Sequence, residues 1–435
     1  MKTVFYPAKE LPVLAEVEVL VVGSGPAGIA AAVASARTGA KTMLVERYGC
    51  FGGALSVGQV ESYTWYFNEN TYTAQGISKE IEDRMLACGG TQHDDRGTGN
   101  FINPEQYKFM LDCWIKEEGI QPLLHTLVVD TVMEGEKLLG VVVENKSGRS
   151  VILADRVVDA TGDGDVAARA GASFEKGFQN NGKVLPVTMV FGVSGVDVKM
   201  FREYIETHPE MTNPDTHGLK LPFRRAKADG KWPVERDGGA WKELTPNGEF
   251  TSLNLTLENG IDGTNVWDLT HAEMEGRQQV MWAVDVLRDY AKEIGFGNCT
   301  LRSMAGQIGI RETRRIKGEY SVCRKDVLGH SVFPDTIGVY TTFIDGEVVS
   351  KDDAHFELPY RMLLPQKIEN LLVAGRCASC EDDAIQTVRM MVCCATTGQA
   401  AGTACAMSAM QKVSLRELEI RQLQERLIQD GVRIH

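Results

Sequence analysis

The residues best suited to chemistry form a glycine-rich turn between two apolar runs. Gly23-Ser24-Gly25-Pro26-Ala27-Gly28 follows the run Val17–Val22 and opens a helical pattern of small residues. The first glycine of such a turn permits a tight bend, the second lets backbone approach a pyrophosphate, and the third lets the helix pack on the strand. The next run, Lys41–Val45, ends in Glu46. An acid about 20 residues after the glycines accepts hydrogen bonds from a ribose hydroxyl. Together these residues predict a dinucleotide site.

Arg47 raises one alternative at this site. An arginine beside the acid suggests the 2′-phosphate of NADP. Glu46 already occupies the position that discriminates between the two riboses, so we interpret Arg47 as a flanking residue. A glycine turn that binds nothing is the structural alternative, and the complete order of strand, glycines, helix, strand and acid argues against it.

Later glycine turns indicate which dinucleotide is bound. The pair Gly52-Gly53 follows the ribose acid, where glycine is unexpected unless backbone again runs close to a ligand. Val157–Ala160 turns into Thr161-Gly162-Asp163-Gly164-Asp165, and Leu371–Ala374 turns into Gly375-Arg376. An NAD domain needs one such turn. FAD lies extended across a sheet and meets several strand ends from separated parts of the chain, so the pattern predicts FAD.

A polar cluster and an aromatic run have two interpretations each. In Gly309–Arg315, the side chains of Arg311 and Arg314 share a face if the segment is helical. Either arginine could clamp a substrate carboxylate. We favour the structural alternative, in which Glu312 and the arginines pair with acids of the nucleotide domain. The aromatic run Tyr63–Phe67 either walls an active site or forms a lid on the core.

The cysteines predict reduced, buried thiols rather than a functional centre. Cys377 and Cys380 form a lone CxxC pair, and Cys393 and Cys394 are adjacent. A redox pair or half of a metal site are the alternatives. The sequence contains no second CxxC and no matching histidine pair, so we expect no metal site.

Composition limits the class of protein. The chain has 435 residues, enough for two domains, of which 43% are hydrophobic and 24% charged, as in globular proteins. A net charge of −13 opposes nucleic acid or an anionic membrane as partner. The first residues lack the apolar core of a signal peptide, and the longest apolar stretch, around Ile29–Ala36, is too short to span a membrane. We therefore expect a cytoplasmic protein.

Secondary-structure patterns place the glycine turns at strand ends. After the first strand–helix–strand unit we expect a helix near Pro104–Glu118 and a strand near Pro122–Val129. A strong hairpin follows, formed by residues 137–145 and 150–161. The last helical pattern, Ser414–Ile428, either packs on the nucleotide domain or supports a dimer.

The middle of the chain, residues 175–345, has no second nucleotide motif. Strand-like segments lie at 185–196, 249–258 and 337–345, with a long helix from about His271 to Ile294. We expect these segments to form an antiparallel sheet that caps the flavin, with the substrate pocket between the domains.

The chain resembles the FAD-dependent oxidoreductases with the glutathione-reductase-type nucleotide fold, near the fumarate reductase and succinate dehydrogenase flavoproteins. The resemblance runs through residues 21–47, 49–54, 157–171, 309–320, 371–379, 387–406 and 414–434. It implies an α/β fold: a Rossmann-like FAD-binding domain of parallel sheet plus β-meander, with an inserted α+β substrate domain. The expected segments are FAD domain 1–174 and 346–412, substrate domain 175–345, and C-terminal helical segment 413–435.

The resemblance also implies roles for individual residues along the cofactor. From adenine to flavin, the implied contacts are Val128 or Val129 for adenine; Glu46 for the ribose; Ala160, Thr161 and Gly162 on the adenosine side; Gly23, Gly25 and Gly28 for the pyrophosphate; Gly52, Gly53 and Ala54 between pyrophosphate and ribityl; Gly375 and Arg376 on the ribityl side; and Thr387–Met390 at the pyrimidine end. The last group opens a helix expected over Cys393–Ala409. Its N-terminus, with Arg389, would favour negative charge on the reduced flavin.

One loop departs from the family pattern. Related sequences often carry a histidine where this chain has Asp382, within the acidic run Glu381–Asp383. Acids beside a flavin require a nearby arginine, a raised pKa or a cationic substrate, unless the loop is simply solvated. The turn Gly52-Gly53-Ala54 carries no histidine for covalent attachment, so we expect FAD to bind non-covalently.

The implied activity is hydride transfer between flavin N5 and a small organic substrate, with Arg389, Asp382 and Arg311 as candidate catalytic residues. The alternatives are a redox-neutral flavin-dependent hydratase or isomerase, and a non-catalytic flavin redox or electron-transfer subunit. The electron donor or acceptor is not specified by the sequence. A homo-oligomer is an open alternative.

Overall fold

The computed structural model describes residues 2–5, 9–63, 74–93, 100–179, 181–208, 219–241, 244–344, 347–348 and 354–435. Most of the aromatic run predicted to wall the site or form a lid, residues 64–67, lies outside these ranges. Its first member, Tyr63, is buried, and its hydroxyl donates to Ser78 O at 3.0 Å.

The helices and strands alternate in the first part of the chain and separate into runs later. The helices are α1 (Pro26–Thr38), α2 (Ile77–Ala87), α3 (Pro104–Glu117), α4 (Asp165–Arg169), α5 (Val198–Thr207), α6 (Lys220–Ala228), α7 (Val266–Tyr290), α8 (Arg324–Leu328), α9 (Ile385–Val388), α10 (Met391–Gln411) and α11 (Ile420–Gln429). The strands are β1 (Val13–Val22), β2 (Thr42–Val45), β3 (Thr91–His93), β4 (Asn100–Ile102), β5 (Gln121–Leu123), β6 (Leu127–Glu134), β7 (Lys137–Asn145), β8 (Gly148–Asp159), β9 (Phe174–Glu175), β10 (Phe191–Ser194), β11 (Ala240–Trp241), β12 (Phe250–Asn254), β13 (Thr300–Met304), β14 (Arg315–Ile316), β15 (Thr336–Thr341), β16 (Phe343–Ile344), β17 (Glu347–Val348), β18 (His355–Pro359) and β19 (Leu371–Val373).

The main sheet is a parallel sheet joined to a meander. Strands β5, β2, β1 and β8 are neighbours in that order and run parallel. β8 is long enough to pair twice on its other side: its first part pairs antiparallel with β7, and its last three residues pair parallel with β19. β6 extends the meander antiparallel to β7. The predicted mixed α/β fold with a parallel sheet and β-meander is confirmed. Because the parallel strands end at one edge, the three glycine turns meet there.

The predicted strand near Pro122–Val129 is wrong as a single element. The chain forms β5 and β6 instead, separated by His125, whose φ is 51°. A residue in the left-handed region interrupts an extended strand. The break lets β5 join the parallel part of the sheet and β6 the meander.

Helices α1 and α10 pack against each other in parallel. A Cβ atom added at Gly398 would lie 2.0 Å from Ala27 O, and one at Gly402 would lie 2.0 Å from Ala31 O. Both contacts advance by four residues in the same direction, so the two helices run parallel with backbone against backbone. Because Gly398 lies beside Ala27, the first six residues of α10 precede the start of α1 at Pro26. Along the common helix direction, Met391 therefore lies about 9 Å before Pro26.

The middle of the chain has a core of its own, formed from residues between Val187 and Ile308, and we call this region the inserted domain. Its sheet is antiparallel in the order β11-β12-β10-β13, and the helix predicted from about His271 to Ile294 is α7, with a 3₁₀ turn at Lys292–Ile294 after it. Asn265 caps α7 by accepting from the Trp267 and Asp268 N–H groups. The sequence predicted an antiparallel sheet in this region, and two of the predicted segments form its strands β10 and β12.

The third segment predicted for that sheet, 337–345, lies elsewhere. Its strand β15 pairs with β18, and all six residues of β15 are buried. Ile337 and Tyr340 belong to the core that contains α1 and α10. An apolar run buried on all sides cannot reveal from its pattern which sheet it joins.

The predicted domain boundaries remain a proposal, and the packing of β15 favours starting the second FAD-domain segment before residue 346. The C-terminal helical pattern packs on the nucleotide domain: Leu423 and Leu427 of α11 are fully buried in the core of α1 and α10. No helix in the described ranges is both long and apolar enough to cross a membrane.

Candidate functional site

The first glycine turn joins the ends of β1, β2 and β8. Gly23 has a φ of 90°, and its N–H donates to Val45 O at 2.8 Å. A Cβ atom at Gly23 would lie 2.6 Å from Ala160 O, and one at Gly28 would lie 1.8 Å from Gly23 O. Neither position has room for a side chain, because each close neighbour is backbone.

Gly25 is different, because its missing side chain leaves open space. It is the N-cap of α1 with extended backbone, and no described atom lies within 4 Å of an added Cβ. Within the described structure, no side chain caps α1, and its first turn contains no acid. The N–H groups of that turn are therefore available to an external acceptor, and the helix dipole favours an anion there.

The second glycine pair continues this surface of bare backbone. Gly52 and Gly53 have φ values of 109° and 57°. The Gly52 N–H donates to Ser24 O at 2.9 Å, and a Cβ at Gly53 would lie 2.8 Å from Gly25 Cα. The two turns therefore touch at the glycine with open space beside it.

Glu46 lies at the end of β2 and is 5% exposed. Its Oε2 accepts from the Ser24 N–H at 2.8 Å and from Ser24 Oγ at 2.6 Å, and its Oε1 accepts from the Tyr48 N–H at 3.0 Å. A carboxylate has about four acceptor positions, so one remains for another donor. Ser24, the second residue of the glycine turn, thus orients the acid.

The residues predicted to meet adenine lie in β6. Val128 is buried opposite Val143, and Val129 O accepts from Arg169 Nε at 3.1 Å. The Arg47 guanidinium lies 4.9 Å from the centre of the Tyr48 ring. Burial raises the pKa of Tyr48 to about 12.

The turn after β8 is organised by an acid absent from the predicted site residues. Asp159 is fully buried; its Oδ1 accepts from the N–H and hydroxyl of Thr161, and its Oδ2 accepts from the Ala167 N–H. Burial raises the pKa of Asp159. The available sequence signal was an acid closing an apolar strand just before a glycine turn.

The third glycine turn packs against both others. Gly375 has a φ of 77°, and a Cβ there would lie 2.8 Å from Ala27 Cβ. Arg376 Nη2 donates to Asp163 Oδ1 at 2.7 Å and would lie 3.0 Å from a Cβ at Gly162. The structure thus brings together residues that the resemblance placed on opposite sides of the cofactor.

The segment predicted for the pyrimidine end forms α9 and the start of α10. Thr387 is buried in α9, and α10 begins at Met391, two residues before the predicted start. In the described structure no side chain caps α10, and no acid lies in its first turn. Burial raises the pKa of Cys394 to about 12, although the positive charges of Arg376 and Arg389 act to lower it. Both guanidinium groups therefore lie near the first turn of α10.

The acidic loop is bonded to the protein. Asp382 Oδ2 accepts from the Gln179 N–H at 2.7 Å, and Oδ1 accepts from the Asp383 N–H at 3.0 Å. Arg324 Nη1 lies 3.8 Å from Asp383 Oδ2. The expected nearby arginine therefore faces Asp383.

The polar cluster at 309–315 is not helical, so the condition under which Arg311 and Arg314 would share a face is not met. Arg314 Nη1 lies 3.0 Å from Asp165 Oδ1, and Arg311 donates to Pro186 O and Thr188 Oγ1. Glu312 pairs with Arg315 in a fully buried contact. The expected pairing with an acid of the nucleotide domain is confirmed for Arg314.

A family model described as FAD dependent oxidoreductase matches residues 18–427. The chain belongs to the FAD-dependent oxidoreductase family. FAD is the cofactor of this family, as the glycine turns predicted.

Curated relatives match a smaller part of the chain. Thiamine thiazole synthase of Aeropyrum pernix is 29% identical over 183 residues, which are 39% of this chain and 63% of the relative. The thiamine thiazole synthase of Methanococcus vannielii is 26% identical over 159 residues, 34% of this chain and 57% of the relative. The chain thus spans less than two thirds of the length of either relative.

A solved structure also resembles this family member. The match to the geranylgeranyl bacteriochlorophyll reductase-like protein of Thermoplasma acidophilum covers 95% of this chain and 83% of that protein, with 11% identity and a TM-score of 0.45. A likeness at that level carries no information about function.

The site has the donors and acceptors that FAD requires. The uncapped first turn of α1 would offer N–H groups to the pyrophosphate, and the open space at Gly25 would let phosphate approach. Glu46 would keep an acceptor position for a ribose hydroxyl. The described residues of this FAD-dependent oxidoreductase family member therefore fit the cofactor.

The four cysteines that lie close together in the sequence of this family member are buried thiols, as predicted. Cys377, Cys380, Cys393 and Cys394 are all buried and free. Burial raises the pKa of Cys380 to about 12, which keeps its thiol protonated. Among the described residues, no group of three or more metal-ligating side chains is placed to hold an ion.

Proposed function

We propose that this protein transfers a hydride between the N5 atom of non-covalently bound FAD and a carbon of a small organic substrate. The parallel sheet with its meander supports the glutathione-reductase type within the family. When bound, FAD supplies the two-electron chemistry. The protein binds and orients both reactants and favours negative charge at the pyrimidine end of the flavin.

The observation that carries the proposal is the pair of parallel helices whose uncapped N-termini lie at the same edge of the sheet. α1 would hold the pyrophosphate. The start of α10, about 9 Å further on, would favour negative charge at the pyrimidine end. Arg389, two residues before the start of α10, would add to that field.

Hydrogen bonds between the inserted domain and the chain after Gly53 support a substrate pocket between the domains. The Gly306 N–H donates to Val57 O at 2.8 Å, and Thr251 Oγ1 donates to Glu61 Oε2 at 2.5 Å. A pocket closed by these contacts would exclude water from the reacting atoms.

Arg389, Asp382 and Arg311 are proposed substrate contacts. Arg389 is adjacent to the uncapped helix start and is the proposed electrostatic stabiliser. Asp382 accepts from Gln179 in the segment that leads into the inserted domain, and Arg311 donates to Pro186 O from the segment that returns from it. The further proposed partners are the substrate itself and a separate electron donor or acceptor.

The test begins with an absorption spectrum of the purified protein before and after acid precipitation. A yellow protein that releases FAD into the supernatant would support non-covalent binding. A colourless protein that takes up no added FAD would overturn the proposal. FAD that stays with the precipitate would overturn only the non-covalent part.

Anaerobic mixing with candidate substrates then separates the reaction types. Bleaching of the flavin absorbance by one compound, with oxidised product in equal amount, is the expected result. A compound that is hydrated or isomerised only after prior reduction of the flavin would indicate the redox-neutral alternative. A flavin that cycles with chemical reductants while no compound turns over would indicate an electron-transfer subunit.

A further inference from the structure

Asp163 is the meeting point of several segments beside the phosphate-binding turn. Its Oδ1 accepts from Arg376 Nη2 at 2.7 Å and from Thr313 Oγ1 at 3.0 Å, and its Oδ2 lies 3.7 Å from Arg47 Nη2. The Asp163 side chain is 9% exposed. These partners come from the ends of β2 and β19 and from the segment that returns from the inserted domain.

We propose that Asp163 is a positioning residue that holds the Arg376 guanidinium against the phosphates of FAD. This inference rests on the proposed function, since it takes the pyrophosphate to lie at the start of α1. Asp163 itself does not touch the cofactor. Its role is to fix the direction of a long, flexible cation.

Two close approaches place Arg376 beside the phosphate-binding turn. Its Nη2 would lie 3.0 Å from a Cβ at Gly162, in the turn after β8. The preceding residue, Gly375, abuts Ala27 in the first turn of α1. The Arg376 side chain remains 18% exposed, so part of the guanidinium stays accessible.

The donor count of Arg376 leaves capacity for a ligand. A guanidinium has five N–H donors in a fixed fork. Described contacts use Nη2 toward Asp163 and Nη1 toward Thr313 Oγ1 at 3.4 Å. An arginine already held in place loses little further freedom when it binds a phosphate.

The variant Asp163→Asn changes FAD affinity in opposite directions for the two possible roles of the carboxylate. If Asp163 holds Arg376 in place, losing the charge lets the guanidinium move, and the dissociation constant of FAD rises about 10-fold or more, as for a lost charged hydrogen bond. If the carboxylate merely lies near the phosphates, removing its negative charge tightens FAD binding. Tighter or unchanged binding overturns the proposal. FAD is titrated into apo-protein and followed by flavin fluorescence.

Asp165→Asn is the matched control. Asp165 lies in the same turn, but its carboxylate pairs with Arg314 at 3.0 Å and Arg169 at 3.1 Å instead of Arg376. We expect this variant to bind FAD within about 2-fold of wild type, since partly exposed ion pairs contribute little. Equal weakening in both variants overturns the specific role of Asp163.

A double-mutant cycle with Arg376→Gln shows whether Asp163 acts through Arg376. If it does, D163N/R376Q binds FAD as weakly as R376Q alone, and R376Q reduces the salt dependence of FAD affinity. Additive losses would mean that Asp163 has an independent effect, and the proposal would fall.

The outcomes also separate this proposal from the proposed function. A wild-type protein that binds no FAD overturns both. Normal wild-type binding with D163N equal to D165N overturns only the positioning role. If apo D163N shows no cooperative melting transition, D163E and its control D165E replace the pair. D163E keeps the charge but displaces Arg376, so weaker FAD binding by D163E alone supports the proposal, and unchanged binding overturns it.

Discussion

Replacing Gly25 by alanine should weaken FAD binding while leaving the apo-protein folded. Gly25 has φ −62° and ψ −179°, which alanine adopts without strain, and no described atom lies within 4 Å of the new Cβ. Alanine gains about 0.4–1 kcal/mol by restricting the unfolded chain. It loses a similar amount as a poorer N-cap than glycine. The free energy of unfolding of the apo-protein should therefore change by less than about 1 kcal/mol.

The added methyl group occupies the space through which phosphate approaches α1. Forcing a methyl group into a filled contact costs about 1–3 kcal/mol, which raises the dissociation constant of FAD roughly 5- to 150-fold. Gly28→Ala is the comparison variant, because its Cβ would lie 1.8 Å from Gly23 O. That clash is with backbone, so Gly28→Ala should destabilise the apo-protein itself by about 1–3 kcal/mol or more.

The assay combines urea unfolding of each apo-protein with titration of FAD by fluorescence. The expected pattern is normal stability with weak binding for G25A, and low stability for G28A. A G25A protein that binds FAD like wild type would refute our placement of the phosphates. A G25A protein that unfolds as readily as G28A would refute the reasoning from open space.

Further predictions concern the fold around the site. Gly402→Ala places a Cβ 2.0 Å from the backbone of α1 and should lower the free energy of unfolding by about 1–3 kcal/mol or more, measured by urea denaturation. Glu312→Gln removes the buried carboxylate partner of Arg315 and leaves, among the described residues, only the Glu175 carboxylate, 4.0 Å from Arg315 Nη2. This should cost about 3–5 kcal/mol in the same assay, and a loss below about 1 kcal/mol would contradict a tight pair. A thiol reagent at pH 8 should modify the exposed Cys88 in the native protein but spare Cys380, whose pKa is raised to about 12, until urea unfolds the chain. Native-state modification of Cys380, located by mass spectrometry, would contradict its burial.

The glycine turns were predictable because their rules are local. A buried strand that ends in one or more glycines marks each turn within about ten residues, and parallel pairing then brings the strand ends together. The same holds for β7 and β8, whose hairpin needs only neighbouring residues. What local patterns lack is the identity of distant partners.

The contacts among these turns depended on such distant partners. Asp163 and Arg376 are 213 positions apart, and no periodicity links them. The segment 309–315 is not helical because its backbone bonds to remote chain instead: the Gly309 N–H donates to Thr188 O at 2.8 Å, and Glu312 accepts from the Gly177 N–H. Long-range hydrogen bonds there replace the local bonds of a helix.

The close packing of α1 on α10 has a consequence for synthesis of the chain. Nearly every residue of α1 is buried, and α10 supplies much of that cover. Roughly 350 residues separate the end of α1 from the start of α10, so at 5–20 residues per second about 20–70 s pass before the cover is made. The inserted domain, with a core between Val187 and Ile308, meets no such delay. It is therefore the middle of the chain, rather than the N-terminal part, that can first complete a core on the ribosome.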